Sequence, residues 1–191
     1  MRTTPGKGTL RVLGVDPGLT RCGVGVVDVS RDRSATLVHV GVIRSDANAP
    51  IEQRLATIAA GLRGIVDAHS PQVIAVERVF AQHNRESVIG TAQASGIALL
   101  VAGERGLRAA THTPTEVKAA ITGYGAADKR QVQAMVARVL RLDALPQPAD
   151  AADALALALC HAWRSAGPSA TAQSLTPAQQ AWADAERSAK R

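Results

Sequence analysis

Three apolar segments of this chain each carry a carboxylate at one end, and this pattern limits how the segments can pack. They are Leu10–Val15 followed by Asp16, Val73–Val76 followed by Glu77, and Ala149–Trp163 with Asp150 and Asp153 near its start. Burying a carboxylate beside core residues is costly unless positive charge compensates it. The simplest solution is a fold in which the acids converge around one or two divalent metal ions.

The order of the segments predicts a mixed α/β sheet of about five strands. Three short strands joined by tight turns come first and indicate an antiparallel meander. An amphipathic helix then leads to the fourth strand, which favours a parallel pairing of that strand with the first. Asp16 and Glu77 would then end or line neighbouring strands. The predicted strands are Leu10–Val15, Cys22–Val29, Thr36–Ile43, Val73–Val76 and Leu107–Thr111. The predicted helices are Ile51–Ile65, Arg85–Glu104, Pro114–Ile121 after a Thr113 cap, a segment capped by Asp128, and the almost wholly apolar Ala149–Trp163.

The acids suit a hard divalent cation. Mg²⁺ prefers octahedral oxygen ligands and keeps several waters, so a few carboxylates suffice. Asp150 and Asp153 lie three residues apart, which puts both on one side of a helical turn. Three of the acids also have an ordinary explanation, because Asp at a helix start is a common cap and Asp16-Pro17-Gly18 is a common turn. Glu77 is the exception, since it extends an apolar strand with no turn residue behind it. Together they predict a metal-dependent phosphoryl-transfer site.

Charge and cysteine content narrow the class of protein. The net charge of +6 favours a polyanionic partner, because Lys and Arg supply phosphate contacts. The two cysteines, Cys22 and Cys160, have no paired spacing, which indicates buried free thiols in a reducing compartment and no zinc site. The sequence has neither a signal peptide nor an apolar run of about 18 residues, so we expect a cytoplasmic protein without a membrane anchor.

Six groups of residues, in order between roughly Leu10 and Arg164, together resemble a known family. They are Leu13–Gly18 with Gly23-Val24-Gly25, Ala75–Phe80, Gln93–Gly96, Val117-Lys118, Lys129 with Gln131–Gln133, and Ala149–Ala156. This set resembles the RuvC family of Holliday-junction resolvases, which belongs to the ribonuclease H-like superfamily. The resemblance implies a ribonuclease H-like α/β fold, in which helices flank a mixed five-stranded sheet with three antiparallel strands followed by parallel ones.

The resemblance also implies the functional residues. It assigns a catalytic tetrad that binds two Mg²⁺ ions per active site, for which Mn²⁺ can substitute; the tetrad is Asp16, Glu77, Asp150 and Asp153. Lys118 and Lys129 fall near the scissile phosphate, and Phe80 falls where an aromatic meets bases at the crossover. We expect Arg130 to add to the basic surface that holds DNA. Taken alone, Phe80 could equally cap the local core, and the lysines could be solvated helix charges.

The implied partners are four-way junction DNA, a second copy of the chain and a branch-migration helicase complex of the RuvA–RuvB type. The homodimer would nick two strands of like polarity and leave ends that a ligase can seal. We expect its contact on the small-residue face of Arg85–Glu104, at Val88, Ala92, Gly96 and Gly103. Around a nuclease domain over residues 10–165, the sequence predicts a flexible N-terminus (1–9) and a disordered tail (166–191).

Three alternatives remain at this point. The segment Asp16–Thr20 resembles a phosphate loop of actin-like ATPases, although those need a second large lobe. A second alternative is a ribonuclease H-like nuclease that acts on RNA. A third is a non-catalytic junction-binding protein, against which the four intact acids argue.

Overall fold

The computed structural model describes residues 5–6, 8–78, 85–144 and 146–165. Within them the strands are β1 (Leu10–Asp16), β2 (Arg21–Val29), β3 (Ala35–Arg44), β4 (Val73–Glu77) and β5 (Arg108–His112). The helices are α1 (Ile51–His69), α2 (Arg85–Glu104), α3 (Pro114–Thr122), α4 (Lys129–Val139) and α5 (Ala149–Ser165). Every strand and helix predicted from the sequence is confirmed, with boundaries that shift by a few residues.

The strands form one mixed sheet in the order β3-β2-β1-β4-β5. The first three strands pair antiparallel, and β4 pairs parallel with both β1 and β5. The predicted position of the fourth strand beside the first is therefore confirmed. Because Val15 pairs with Val76, the next residues of the two strands, Asp16 and Glu77, emerge side by side at the carboxyl edge of the sheet.

Helices cover both faces of the sheet. On one face α5 packs across β1 and β2 with Leu155, Leu157 and Leu159 fully buried. On the other face α1 and α2 cover the alternate residues of β1 and β4. Helix α5 is buried along almost its whole length, from Ala151 to Ala162, as expected for a segment that is apolar nearly all round.

Glycines in β1 and β2 allow α5 to lie unusually close to the sheet. A Cβ on Gly14 would overlap the carbonyl oxygen of Ala154, and a Cβ on Gly23 would overlap the carbonyl oxygen of Asp150. A Cβ on Gly25 would approach Leu155 to 2.7 Å. This close packing is what brings the first turns of α5 to the end of β1.

Capping boxes fix the starts of the two short helices. Thr113 accepts a hydrogen bond from the backbone of Glu116 at the start of α3, and Asp128 accepts one from Gln131 at the start of α4. Both caps match the sequence predictions. Asp150, in contrast, is the second residue of α5 rather than its N-cap, so the capping explanation for this acid is wrong.

Two further expectations concern the rest of the chain. Cys22 and Cys160 are both buried free thiols, as predicted. No helix among the described residues is long and apolar enough to cross a membrane. The predicted tail, residues 166–191, lies outside the described residues, as do residues 1–4 and 7 of the predicted flexible N-terminus.

Candidate active site

The four predicted acids come from three elements that meet at one edge of the sheet. Asp16 ends β1, Glu77 ends the adjacent β4, and Asp150 and Asp153 lie in the first turns of α5. The carboxyl of Asp16 is hydrogen-bonded to that of Glu77. Repulsion from both acids of α5 reaches Asp16, which shows that the acids share one electrostatic environment.

The crowding of negative charge changes the protonation of this site. Burial, followed by repulsion from Glu77, Asp153 and Asp150, raises the pKa of Asp16 to about 8. Burial also raises the pKa of Glu77, and the hydrogen bond with Asp16 partly opposes that shift. In the absence of a cation, burial and the neighbouring acids thus favour the protonated form of Asp16, which is hydrogen-bonded to Glu77.

Each acid of α5 is paired with a cation. Lys129 Nζ donates to Asp153 Oδ2 at 2.6 Å, and this hydrogen bond raises the pKa of the Lys129 ammonium. Arg21 Nε lies 2.7 Å from Asp150 Oδ2. That oxygen is buried, yet it accepts no well-aligned hydrogen bond from the described residues.

The donor chemistry fits a divalent metal. All four candidate ligands are carboxylates, which suit Mg²⁺, Mn²⁺ or Ca²⁺. Asp150 has a buried oxygen without an aligned hydrogen bond, and the pKa of Asp16 is raised by burial and by the neighbouring acids; both observations indicate a shortage of positive charge. No three potential ligands among the described residues are already arranged as a metal site. Two of the acids are instead engaged by Arg21 and Lys129.

A cavity of about 260 Å³ opens beside the acids and joins them to the two predicted lysines. Its walls combine apolar and charged side chains. The lining residues are Glu77, Pro114, Val117, Lys118, Lys129, Val132, Asp153, Ala156 and Leu157. Lys118 from α3 and Lys129 from α4 thus face the same space as two of the acids, as a phosphate-binding role requires.

The remaining predicted residues have different outcomes. Arg130 is exposed next to Lys129 but does not line the cavity. Phe80 lies outside the described residues, so its predicted contact with bases stays a prediction. Sequence reasoning missed Arg21, because a basic residue at the start of a strand is common and its partner Asp150 is distant in sequence. His112 and His161 form a buried pair beside this edge of the fold, with His112 Nε2 and His161 Nδ1 3.0 Å apart.

Comparison with known proteins gives consistent matches over the whole fold. The family model described as "Crossover junction endodeoxyribonuclease RuvC" matches residues 12–161. A curated protein of that name from Leifsonia xyli subsp. xyli is 62% identical over 197 residues, covering 96% of this chain and 95% of its own length. The range that the family model matches spans the positions of all four acids and both lysines in this chain.

Solved structures with a similar fold include Holliday-junction resolvases. The structure described as T. thermophilus RuvC in complex with Holliday junction substrate matches with a TM-score of 0.79 and 35% identity, covering 82% of this chain and 95% of that one. A yeast mitochondrial Holliday junction resolvase, Ydc2, matches with a TM-score of 0.57 and 14% identity, covering 82% of this chain and 81% of that one. The second match supports the fold alone.

Proposed function

This chain belongs to the RuvC family of crossover junction endodeoxyribonucleases, and we propose that it resolves four-way DNA junctions by metal-dependent phosphodiester hydrolysis at its acidic site. The observation that carries the proposal is the convergence of acids from β1, β4 and α5 beside two lysines. Among the candidate activities, hydrolysis of a nucleic-acid phosphodiester uses each of these groups.

The metal in this proposal is Mg²⁺, as two ions held by the four acids, with Mn²⁺ as a substitute. When bound, such ions activate the attacking water and compensate the charge on the leaving 3′ oxygen. Asp16 must give up its proton to become a ligand, and a neighbouring divalent charge favours that loss. The all-oxygen ligand set and the deficit of positive charge support this choice.

The lysines supply charge from the protein itself. Lys118 and Lys129 line the same cavity as Glu77 and Asp153. A cation fixed beside a reacting phosphate stabilises the negative charge that grows in the transition state. We assign Lys129 this role together with a second one, since it already holds the carboxylate of Asp153 in place.

The homodimer is a proposal that α2 supports. Its outward face carries exposed apolar side chains around small residues: Ile89, Leu99 and Leu100 are 58%, 42% and 51% exposed. Ala92, Gly96 and Gly103, predicted as the contact, are exposed on the same helix, whereas Val88 is only half exposed. A second copy of α2 would cover this stripe and give the two-fold symmetry that paired nicks require.

The remaining proposed partners are junction DNA, which the net charge of the chain supports, and a helicase complex, which family membership supports. A net charge of +6 favours electrostatic binding of the arms of a junction, with steep salt dependence. Partnership with a branch-migration helicase complex of the RuvA–RuvB type rests on family membership alone. It stays a prediction that a pull-down with the purified helicase proteins would test.

Substrate comparison tests the proposed function. A synthetic mobile four-way DNA junction, a linear DNA duplex and an RNA duplex are each incubated with the protein, with and without Mg²⁺. We expect symmetric paired nicks in the junction, only with Mg²⁺, and ends that a ligase reseals. Preferred cleavage of RNA would support the RNA nuclease, and junction binding without any product would support a non-catalytic binder.

A further inference from the structure

Arg21 is the least explained charged residue at the site. It is the first residue of β2, and its guanidinium reaches the carboxylate of Asp150 at the start of α5. The side chain is 44% exposed, whereas that of Asp150 is 28% exposed. Arg21 thus lies between solvent and the acids.

The chain just before Arg21 is held firmly. Arg54 of α1 donates to the Thr20 hydroxyl at 2.6 Å, and the backbone N–H of Ser45 donates to the Thr20 carbonyl at 3.1 Å. The hydroxyl of Ser45 donates to the carbonyl of Leu19 at 2.6 Å. The backbone is therefore anchored, while the long side chain of Arg21 retains room to change partner.

The pair that Arg21 forms differs from a structural ion pair of the same chain. Arg11 donates to both oxygens of Asp28, at 2.7 and 2.6 Å, with side chains only 4% and 19% exposed. Arg21 approaches one oxygen of Asp150, and that oxygen accepts no aligned hydrogen bond from the described residues. A bidentate buried pair resists exchange, whereas a single misaligned contact near solvent is weak.

We propose that Arg21 stands in for a metal ion at Asp150 in the metal-free enzyme and moves to a DNA phosphate once metal is bound. The inference rests on the proposed metal site and adds a phosphate-binding residue to it. A metal at Asp150 would replace the guanidinium as the compensating charge. The freed guanidinium suits a phosphate, to which it can donate two parallel hydrogen bonds.

The position of Arg21 supports a phosphate contact. In the sheet order, β2 lies on one side of β1, whereas β4 lies on the other. Lys118 and Lys129 approach through the cavity that Glu77 of β4 lines. Arg21 on β2 therefore adds positive charge on the flank of Asp16 away from Glu77. A strand crossing the acids would meet cations on both sides.

Metal titration without DNA tests the first part of the proposal, that Arg21 competes with a metal ion for Asp150. Mn²⁺ binding is measured by calorimetry on the wild-type protein, Arg21→Gln, Arg21→Lys and Arg44→Gln. Arg44 is exposed on β3, where its backbone lies opposite that of Arg21 on β2. The Arg44→Gln variant therefore removes the same charge one strand further from Asp150. Losing a competing, partly exposed ion pair should tighten Mn²⁺ binding by Arg21→Gln about two- to fivefold. Arg21→Lys and Arg44→Gln should stay closer to the wild-type affinity.

Junction binding, measured with Ca²⁺ in place of Mg²⁺, tests the second part of the proposal, that Arg21 binds a DNA phosphate once metal is bound. Arg21→Gln should weaken junction binding about threefold or more with Ca²⁺ and have little effect without metal, because Arg21 is then engaged with Asp150. A merely structural residue would not show an effect that depends on metal. Unchanged Mn²⁺ affinity in Arg21→Gln would overturn the stand-in role, and tighter metal binding with unchanged junction affinity would overturn the phosphate role. If the wild-type protein binds no Mn²⁺, the proposed function itself fails.

Discussion

Lys129 and Arg130 are neighbours in α4 with different surroundings. Lys129 donates to Asp153 and lines the cavity beside the acids, while Arg130 is exposed outside it. We predict that Lys129→Gln lowers the rate of junction cleavage about a hundredfold, because one stabilising cation of the transition state is lost. Single-turnover cleavage at saturating enzyme measures the effect.

Arg130→Gln is the matched control for this variant. It removes the same charge from the adjacent position, so it should weaken binding uniformly and lower the salt dependence by about one phosphate contact, with the cleavage rate nearly unchanged. Equal losses of cleavage rate in the two variants would show that Lys129 acts only through net charge.

At the level of single residues, the acids were predictable and one of their cations was not. A carboxylate at the end of an apolar strand, as at Glu77, stands out because burying it without compensation is costly. Arg21 does not stand out, since a basic residue at a strand start is common. Its partner Asp150 is distant in sequence, and only the packing of α5 on β2 brings the two together.

Among the elements, the contact of α5 with β2 is the most sensitive to change. A Cβ at Gly23 would overlap the carbonyl oxygen of Asp150 and push the start of α5 away from β1. We predict that Gly23→Ala destabilises the fold by about 1–3 kcal/mol and lowers cleavage at least about tenfold. Denaturant unfolding and cleavage assays measure the two effects.

Gly64 of α1 provides the control for that substitution. It is exposed, and a Cβ there would meet nothing within 4 Å. Gly64→Ala should therefore leave cleavage unchanged and stabilise the protein by about 0.4–1 kcal/mol, because Ala restricts the unfolded chain. Normal cleavage by Gly23→Ala would refute the close-packing explanation.

The histidine pair joins β5 to α5 and makes stability depend on pH. Burial lowers the pKa of His112, and burial with repulsion from His112 and Arg108 lowers that of His161 to about 4. The neutral forms are favoured in the fold, so this stability is present above the unfolded pKa of about 6.5 and is lost as pH falls toward 4. Glu116, Arg164 and Arg78 also face His112.

We therefore predict that the free energy of unfolding falls by about 1–3 kcal/mol between pH 7 and pH 4.5 because of His161. Unfolding of the metal-free wild-type protein and of His161→Gln is followed at both values. The variant should lose less stability on acidification than the wild type. An identical loss in both proteins would assign the pH dependence to other groups.

The strands and helices follow well from the sequence, but the residues at which they begin and end follow less well. Alternation and turn residues locate the strands, and a connecting helix predicts that β4 pairs parallel with β1. The start of α5 was harder, because Asp150 has the residue type of a cap but follows Ala149 inside the helix. Helix ends depend on packing and neighbouring turns that periodicity does not encode.

For the whole molecule, we predict that the exposed stripe of α2 forms the dimer. Ile89→Glu places a charge in that stripe and should shift the protein from dimer to monomer, because the charge would be desolvated at the interface. Ile51→Glu is the matched control, since Ile51 is 41% exposed on α1. Sedimentation equilibrium measures both, and a monomeric wild type or a dimeric Ile89→Glu would contradict the assignment.

The central claim is that acids distant in sequence form one metal site that cleaves DNA. The most direct test compares the wild-type protein with Asp16→Asn and Asp143→Asn on a synthetic four-way junction with Mg²⁺, with junction binding measured in parallel. Asn keeps the shape of Asp16 but removes the charge that a metal requires, whereas Asp143 is an exposed acid beyond α4. We expect Asp16→Asn to bind the junction and to lose at least about a thousandfold in paired nicking, with Asp143→Asn unchanged. Paired nicking by Asp16→Asn at the wild-type rate would contradict the claim.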